Sequence, residues 1–274
     1  MDVKKTLRLC HISDTHNRHK QIRWGDIDLT KVDVLICSGD ISGMGQKSEV
    51  ESFMKWFNLQ PTLYKVLIAG NHDLCFDIER GGNNGEEPEW LTDLIKQFQG
   101  SYGHYYLENS SCEIEGIKFW GSPYSSWFHG DRWAFNVHRG ENSRKLYDQI
   151  PQDTDVLVTH GPAMYYQDQN YERQILGCDD LLRKIIAVKP LLHLFGHIHE
   201  DYGYEMNNAN GETYHFNGSI CTLQYEPLNA PWLIQANFEE RTIKVLNDGK
   251  DVIKDRDTES RSPDQDQAGE NRST

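Results

Sequence analysis

No apolar run in this 274-residue chain approaches the roughly 20 residues that a membrane-spanning helix needs. Met1–Leu9 carries two lysines, but no apolar stretch behind them is long enough for a secretory signal. The N-x-S/T sequons at Asn109, Asn217 and Asn271 therefore carry little weight. None of the six cysteines sits in a C-x-x-C pair. Cys10 and Cys37 fall inside strand-like runs, where a thiol behaves as a small hydrophobe, so reduced cysteines are expected. Positive charge is scarce. Lys and Arg total 28 against 42 Asp and Glu, a net charge of -14. That field repels polyanions, and no large basic patch offsets it, which argues against non-specific nucleic-acid binding. No internal repeat is visible. These absences describe a soluble, cytoplasmic protein with no membrane partner. They leave oligomeric state open.

Length allows one large domain or two small ones; one domain is expected over residues 1–250, with a buried core. Residues 251–274 hold no aromatics and few apolar residues, so a disordered tail is expected there. Arg80 to Pro88 is rich in Gly, Asn and Glu and reads as a surface loop.

Five short stretches organise the rest. They are Asp14-Thr15-His16, Gly39-Asp40, Gly70-Asn71-His72-Asp73, Thr159-His160-Gly161-Pro162 and Gly196-His197-Ile198-His199. Each follows an apolar, strand-like run: Leu7 to Ile12, Val34 to Cys37, Val66 to Ala69, Val156 to Val158, Leu191 to Phe195. Strand ends of an open α/β sheet share a rim where ligands collect, so these distant residues can meet.

Between the runs, Val50, Phe53, Met54 and Phe57 fall at i, i+3, i+4, i+7 and predict a helix from about Lys47 to Phe57. Trp90 to Phe98 and Asp179 to Val188 read as further helices, the latter ending before Pro190. Tyr105 to Trp120 reads as a β meander. Residues 122–140 form a long aromatic-rich insert, either a packed lid or a substrate platform. Thr213 to Phe216, Ile220 to Tyr225, Trp232 to Asn237 and Thr242 to Leu246 suggest a closing antiparallel sheet. His11, His193 and His215 lie in strand patterns and are expected to pack.

The chemistry follows from the residue types. Asp14 and His16 are two apart, so both point one way at a strand end. His197 and His199 repeat that spacing. Asp40 can bridge two cations through its two oxygens, Asn71 offers a neutral oxygen, and His160 adds a nitrogen. Two dications, two aspartates and a bridging hydroxide sum to about +1, which attracts an anionic substrate without trapping it. The mixed N/O set suits Mn, Fe, Zn or Co. His72 beside Asn71 is placed to protonate a leaving oxygen, with Asp73 holding its tautomer. Each piece alone is ordinary turn or capping chemistry. Five together, in order, each at the end of an apolar run, are a metal site.

The order D-x-H, G-D, G-N-H-D, H-G, G-H-x-H resembles the calcineurin-like metallophosphoesterase superfamily over roughly residues 5–240. That resemblance implies a four-layer α/β/β/α sandwich with mixed sheets. It implies one metal held by Asp14, His16, Asp40 and His199, and a second by Asp40, Asn71, His160 and His197. It implies His72 as the acid and Asp73 as its partner. Ile68-Ala69-Gly70-Asn71-His72, Trp127-Phe128, Phe135-Asn136, Arg139-Gly140, Gly177-Cys178 and His199-Glu200-Asp201-Tyr202-Gly203 resemble a subgroup of metallophosphoesterase-domain proteins related to brain protein 239. The subgroup implies phosphodiesterase activity on small diesters, cyclic nucleotides among them. Some members have glycine where this chain keeps His197.

The expected function is therefore a dinuclear metal-dependent phosphodiesterase using a metal-bridging hydroxide and His72. Two rival expectations are a phosphomonoesterase or protein phosphatase, and a nucleotide-binding sensor with little catalysis. For substrate contacts, Arg139 is a candidate phosphate ligand, and Trp127, Trp133 or Phe135 a candidate stacking surface. The alternative for these aromatics is that they pin the insert to the sheet.

Overall fold

In the computed structural model, which describes residues 6–78, 88–128, 130, 132–206 and 213–247, the central parallel strands follow the apolar runs of the sequence. β1 (Thr6–Ile12), β2 (Val34–Ser38), β3 (Tyr64–Ile68) and β4 (His104–Tyr106) lie parallel in one sheet. β5 (Ser110–Ile114) turns back antiparallel into β6 (Ile117–Ser122) in the other. β7 (Ser125–Ser126) and β8 (Asn136–Val137) make a small parallel pair inside the aromatic insert. β9 (Val156–Thr159), β10 (Leu192–Phe195), β11 (Gly203–Met206), β12 (Tyr214–Asn217), β13 (Trp232–Asn237) and β14 (Thr242–Val245) complete the set. The sheet orders are β14-β13-β1-β2-β3-β4 and β11-β12-β10-β9-β6-β5.

Side chains of successive residues leave a strand on opposite faces, and here both faces are apolar. Leu7, Leu9, Val34, Ile36, Val66 and Ile68 face inward and meet Phe119, Val156, Val158 and Leu194 of the second sheet. Their neighbours Cys10, Ile12, Leu35, Cys37 and Leu67 face outward. They are covered by α1 (Lys47–Asn58) and α2 (Glu89–Gln99) through Val50, Phe53, Phe57, Leu91 and Phe98. Trp120 and Leu157 are covered on the far side by α3 (Glu141–Tyr147) and α4 (Asp179–Val188) through Leu146, Tyr147, Leu181 and Ile185. Three cores between four layers give the expected α/β/β/α sandwich.

The C-terminal segments depart from expectation. They do not close one antiparallel sheet. β12 joins the second sheet parallel to β10, whereas β13 and β14 extend the first sheet antiparallel to β1. Ile220 to Tyr225 is a loop, and the Ile220 N–H is taken up by Ser13 O instead of by a sheet partner. The short α3, β7, β8 and β11 were not expected. The tail from 251 and all of the Arg80–Pro88 loop except Pro88 lie outside the described residues. Among those described, no helix is long and apolar enough to cross a membrane.

In each sheet the parallel strands end on the same rim, and the two rims are sewn together. Ser13 N–H donates to Gly218 O at 2.8 Å, and Ile220 N–H donates to Ser13 O at 2.9 Å. The five motifs sit along this seam.

Candidate metal centre

Asp14 and His16 follow β1 and come together by a turn, not by strand alternation as their spacing suggested. β1 ends at Ile12, and both residues lie in the left-handed region, at φ 50° and 40°. Asp40 (φ 50°) and His197 (φ 71°) do the same after β2 and β10. Such conformations disfavour non-glycine residues and persist where surrounding structure holds them. Here Asp14 N–H donates to Gly39 O and His16 N–H to Asp40 O, each at 3.0 Å.

Two donor groups result. In the first, His199 Nε2 lies 3.2 Å from Asp14 Oδ1 and 3.1 Å from His16 Nε2. In the second, Asn71 Oδ1 lies 2.8 Å from His160 Nε2 and 2.7 Å from His197 Nδ1. Asp40 spans them: Oδ2 is 3.7 Å from His16 Nε2 and Oδ1 is 3.4 Å from His160 Nε2. Asp14, Asp40, Asn71 and His160 are all buried.

The donor set fits divalent cations. His160 Nδ1 donates to Ser38 O at 2.9 Å, and His199 Nδ1 donates to Thr222 O at 3.0 Å. In the neutral rings this turns each Nε2 lone pair inward, onto an amide oxygen or another imidazole. Lone pairs this close need positive charge among them, from protons or from metal. The charge balance says the same. Burial opposes ionisation of Asp14 and Asp40. The hydrogen bond and charge of His199, for Asp14, and the charges of His160 and His72, for Asp40, outweigh it and keep both carboxylates anionic. Burial presses His160 toward neutrality, yet Asp40 prevails and holds its pKa at about 9. Burial leaves His197 at about 3 and His16 at about 4, so both rings are neutral at pH 7.

Supporting groups make room and fix orientation. A Cβ on Gly196 would lie 1.9 Å from Asp14 Oδ2, and one on Gly70 would lie 2.3 Å from Asp40 Oδ1. The motif glycines are the space the carboxylates occupy. Ser219 Oγ–H donates to Asp14 Oδ2 at 2.9 Å and contacts Asn217 Oδ1 at 2.8 Å. His197 N–H donates to the Asp14 carboxylate at 3.0 Å. Asn217-Gly218-Ser219 was missed in the sequence, although it too follows a strand-like run.

His72 stands beside the donors. Its ring packs on Trp133 at 4.2 Å and edge-on to His16 at 4.6 Å. Asp73 does not hold its tautomer. The Asp73 carboxylate is buried and turned away, accepting from Gly70 N, Ile41 N, Ser42 N and Ser42 Oγ. Burial, then the charge of Asp40, raises its pKa to about 6. Gly43 O, 2.8 Å from His72 Nδ1, takes the tautomer role instead.

Two of the substrate candidates, Arg139 and Trp127, are turned elsewhere. The Arg139 guanidinium is spent on the carbonyls of Leu176 and Gly177, and Trp127 stacks on His138 at 5.1 Å. Neither lines the cleft. A cavity of about 290 Å³ has Asp40, Asn71, His72, His197 and His199 on its floor. Phe128, Trp133, Glu200, Leu223 and Tyr225 form its walls. The insert therefore contributes Phe128 and Trp133, while Phe135 is buried against Tyr124. Leu223 and Tyr225 come from the 220–225 loop, whose sequence alternates like a strand.

Among the described residues, Asp14, His16 and His199, then His16, Asp40 and His72, then Asp14, Asp40 and His160 each bring donor atoms close enough to hold a metal ion, which makes this cleft a candidate metal centre. The chain belongs to the calcineurin-like phosphoesterase family, whose profile matches residues 7–201, and so to the metal-dependent phosphoester hydrolases. It is similar to human metallophosphoesterase domain-containing protein 1, with 37% identity over 248 residues, covering 83% of this chain and 70% of that protein. A UPF0046 protein of Caenorhabditis elegans is 33% identical over 216 residues, covering 78% of this chain and 70% of that protein. The solved structure of TT1561 from Thermus thermophilus shares the fold. Its TM-score is 0.58 at 10% identity, over 88% of this chain and 98% of that one.

Proposed function

We propose that this protein hydrolyses small phosphodiesters, cyclic nucleotides among them, with His72 as general acid. The observation that carries this reading is one cavity floored jointly by Asp40, Asn71, His72, His197 and His199. Two divalent ions, drawn from Mn, Fe, Zn or Co, would supply Lewis acidity at phosphorus and an activated water. Asp14, His16, Asp40 and His199 would hold one, and Asp40, Asn71, His160 and His197 the other.

The chain's own residues do the rest. His72 Nδ1 is committed to Gly43 O, so Nε2 is the nitrogen that exchanges a proton with the leaving oxygen. Trp133 restrains the ring's tilt, and His72 N–H fixes Asp40 Oδ1 at 2.8 Å. Among the described residues lining the cavity there is no lysine or arginine. A monoester dianion gains most from such a clamp, and a diester monoanion needs it less. The cysteines are free, as suits a cytoplasmic setting.

The test is a panel run on chelated protein with manganese restored: bis(p-nitrophenyl) phosphate, p-nitrophenyl phosphate and cyclic nucleotides. Diesters should turn over faster than the monoester. A faster monoester, or AMP binding with no diester turnover, contradicts the reading.

A further inference from the structure

Glu200 sits badly with a site that admits only anions. It is half-buried in the short turn His199–Asp201 and lines the cavity beside the donors. Its carboxylate makes no hydrogen bond or ion pair with any described residue. Asp14 and Asp40 already bring negative charge to the floor. A further carboxylate at this cavity repels phosphate. The walls nearby are aromatic. Phe128 and Trp133 stack at 6.3 Å, and Tyr225 is 43% exposed at the opening. Aromatic faces with one carboxylate are the surroundings in which an ammonium group is held, by attraction to the ring faces and by the counter-charge.

We propose that Glu200 makes this site selective for small, soluble phosphodiesters in which one alcohol carries an ammonium group. The inference rests on the phosphodiesterase reading above and names the substrate class within it. The phosphate sits over the donor groups on the floor. The ammonium-bearing alcohol lies along the wall, where Glu200 offsets its charge and Phe128, Trp133 and Tyr225 contact its methyl or methylene groups. The volume of about 290 Å³ suits a compact headgroup.

The experiment compares two substrates of one shape with the metal-replete protein. One is p-nitrophenyl phosphorylcholine. The other is 3,3-dimethylbutyl p-nitrophenyl phosphate, its uncharged isostere, with the same leaving group. The native protein should show kcat/KM about tenfold higher for the choline ester, in line with a cation held by rings and a carboxylate. In Glu200→Gln with metal content retained, the ratio should fall close to one. A native ratio near one, or a ratio that survives Glu200→Gln, overturns the proposal. The native ratio needs no variant to fold. If bis(p-nitrophenyl) phosphate turns over without such a preference, selectivity fails and the diesterase reading stands. If no diester turns over, both fail. Phosphatidylcholine vesicles form a third arm. They should not be hydrolysed, and turnover above that of the soluble ester would overturn the assignment to a soluble diester.

Discussion

The Nδ1–H of His72 donates to the carbonyl oxygen of Gly43 across 2.8 Å. A carbonyl only accepts, so this contact assigns the proton to Nδ1 and leaves Nε2 for chemistry. His72→Ala should lower kcat by about 10² to 10⁴, the range for a lost general acid, with metal content unchanged. The loss should shrink for good leaving groups, which need no proton. Equal losses for poor and good leaving groups would contradict the acid role. Leaving-group series on native and variant protein make the comparison.

Asp73 should behave differently from its neighbour. Its carboxylate gathers four donors from the loops after β2 and β3. Asp73→Ala leaves those buried groups without a partner, at about 1–3 kcal/mol for each one left unsatisfied. The expected result is a lower Tm and weaker metal retention, with leaving-group dependence as in the native protein. A leaving-group effect matching His72→Ala, with Tm unchanged, would restore the tautomer role to Asp73.

Gly196→Ala tests how tightly the Asp14 site is built. The new methyl would meet Asp14 Oδ2 at 1.9 Å and Ser13 Oγ at 2.1 Å. Backbone or carboxylate must shift, at about 1–3 kcal/mol for overpacking. Elemental analysis should show loss of at least one ion, and diester turnover should fall with it. Native metal content in this variant would contradict the packing.

Acid should destabilise the fold through a histidine pair on the outer face of the second sheet. His193 Nδ1 and His215 Nδ1 are 3.0 Å apart, and His193 Nε2 meets Thr159 Oγ1 at 2.8 Å. Burial depresses both, His215 to about 3 and His193 well below its usual range. The unfolded chain takes up these protons near pH 6.5 and the folded chain refuses them. The stability they confer is therefore full above pH 6.5 and is lost as pH falls toward 3, by up to about 1.4 kcal/mol per pH unit for each ring. Urea unfolding from pH 7 to 4.5 measures the slope, which should flatten in His215→Asn.

The sequence made the parallel strands legible because they are buried on both faces. Leu7 to Ile12 and Val34 to Cys37 stand out as apolar runs, and a polar Asp or His just past such a run is conspicuous. β7, β8 and β11 carry no such signal, since two to four residues of mixed polarity pair only through tertiary contacts. Ile220 to Tyr225 alternates like a strand, but Ile220 N–H is spent on Ser13 O at the seam. The pairing of His72 with Gly43 was beyond reach because a backbone carbonyl has no residue type to read. Arg139 and Trp127 fitted the insert's composition, but their partners lie in the segment around Leu176 and at His138.

Asp40 stands between the two donor groups, Oδ2 toward His16 and Oδ1 toward His160, placed to be shared by two metal ions. The most direct measurement is elemental analysis of native and Asp40→Ala protein, paired with bis(p-nitrophenyl) phosphate turnover before chelation, after it, and after manganese is restored. Native protein should hold about two divalent ions per chain, lose turnover on chelation and regain it with metal. Asp40→Ala, folded by circular dichroism, should lose both ions and turnover together. Native metal content and undiminished turnover in folded Asp40→Ala would contradict the account.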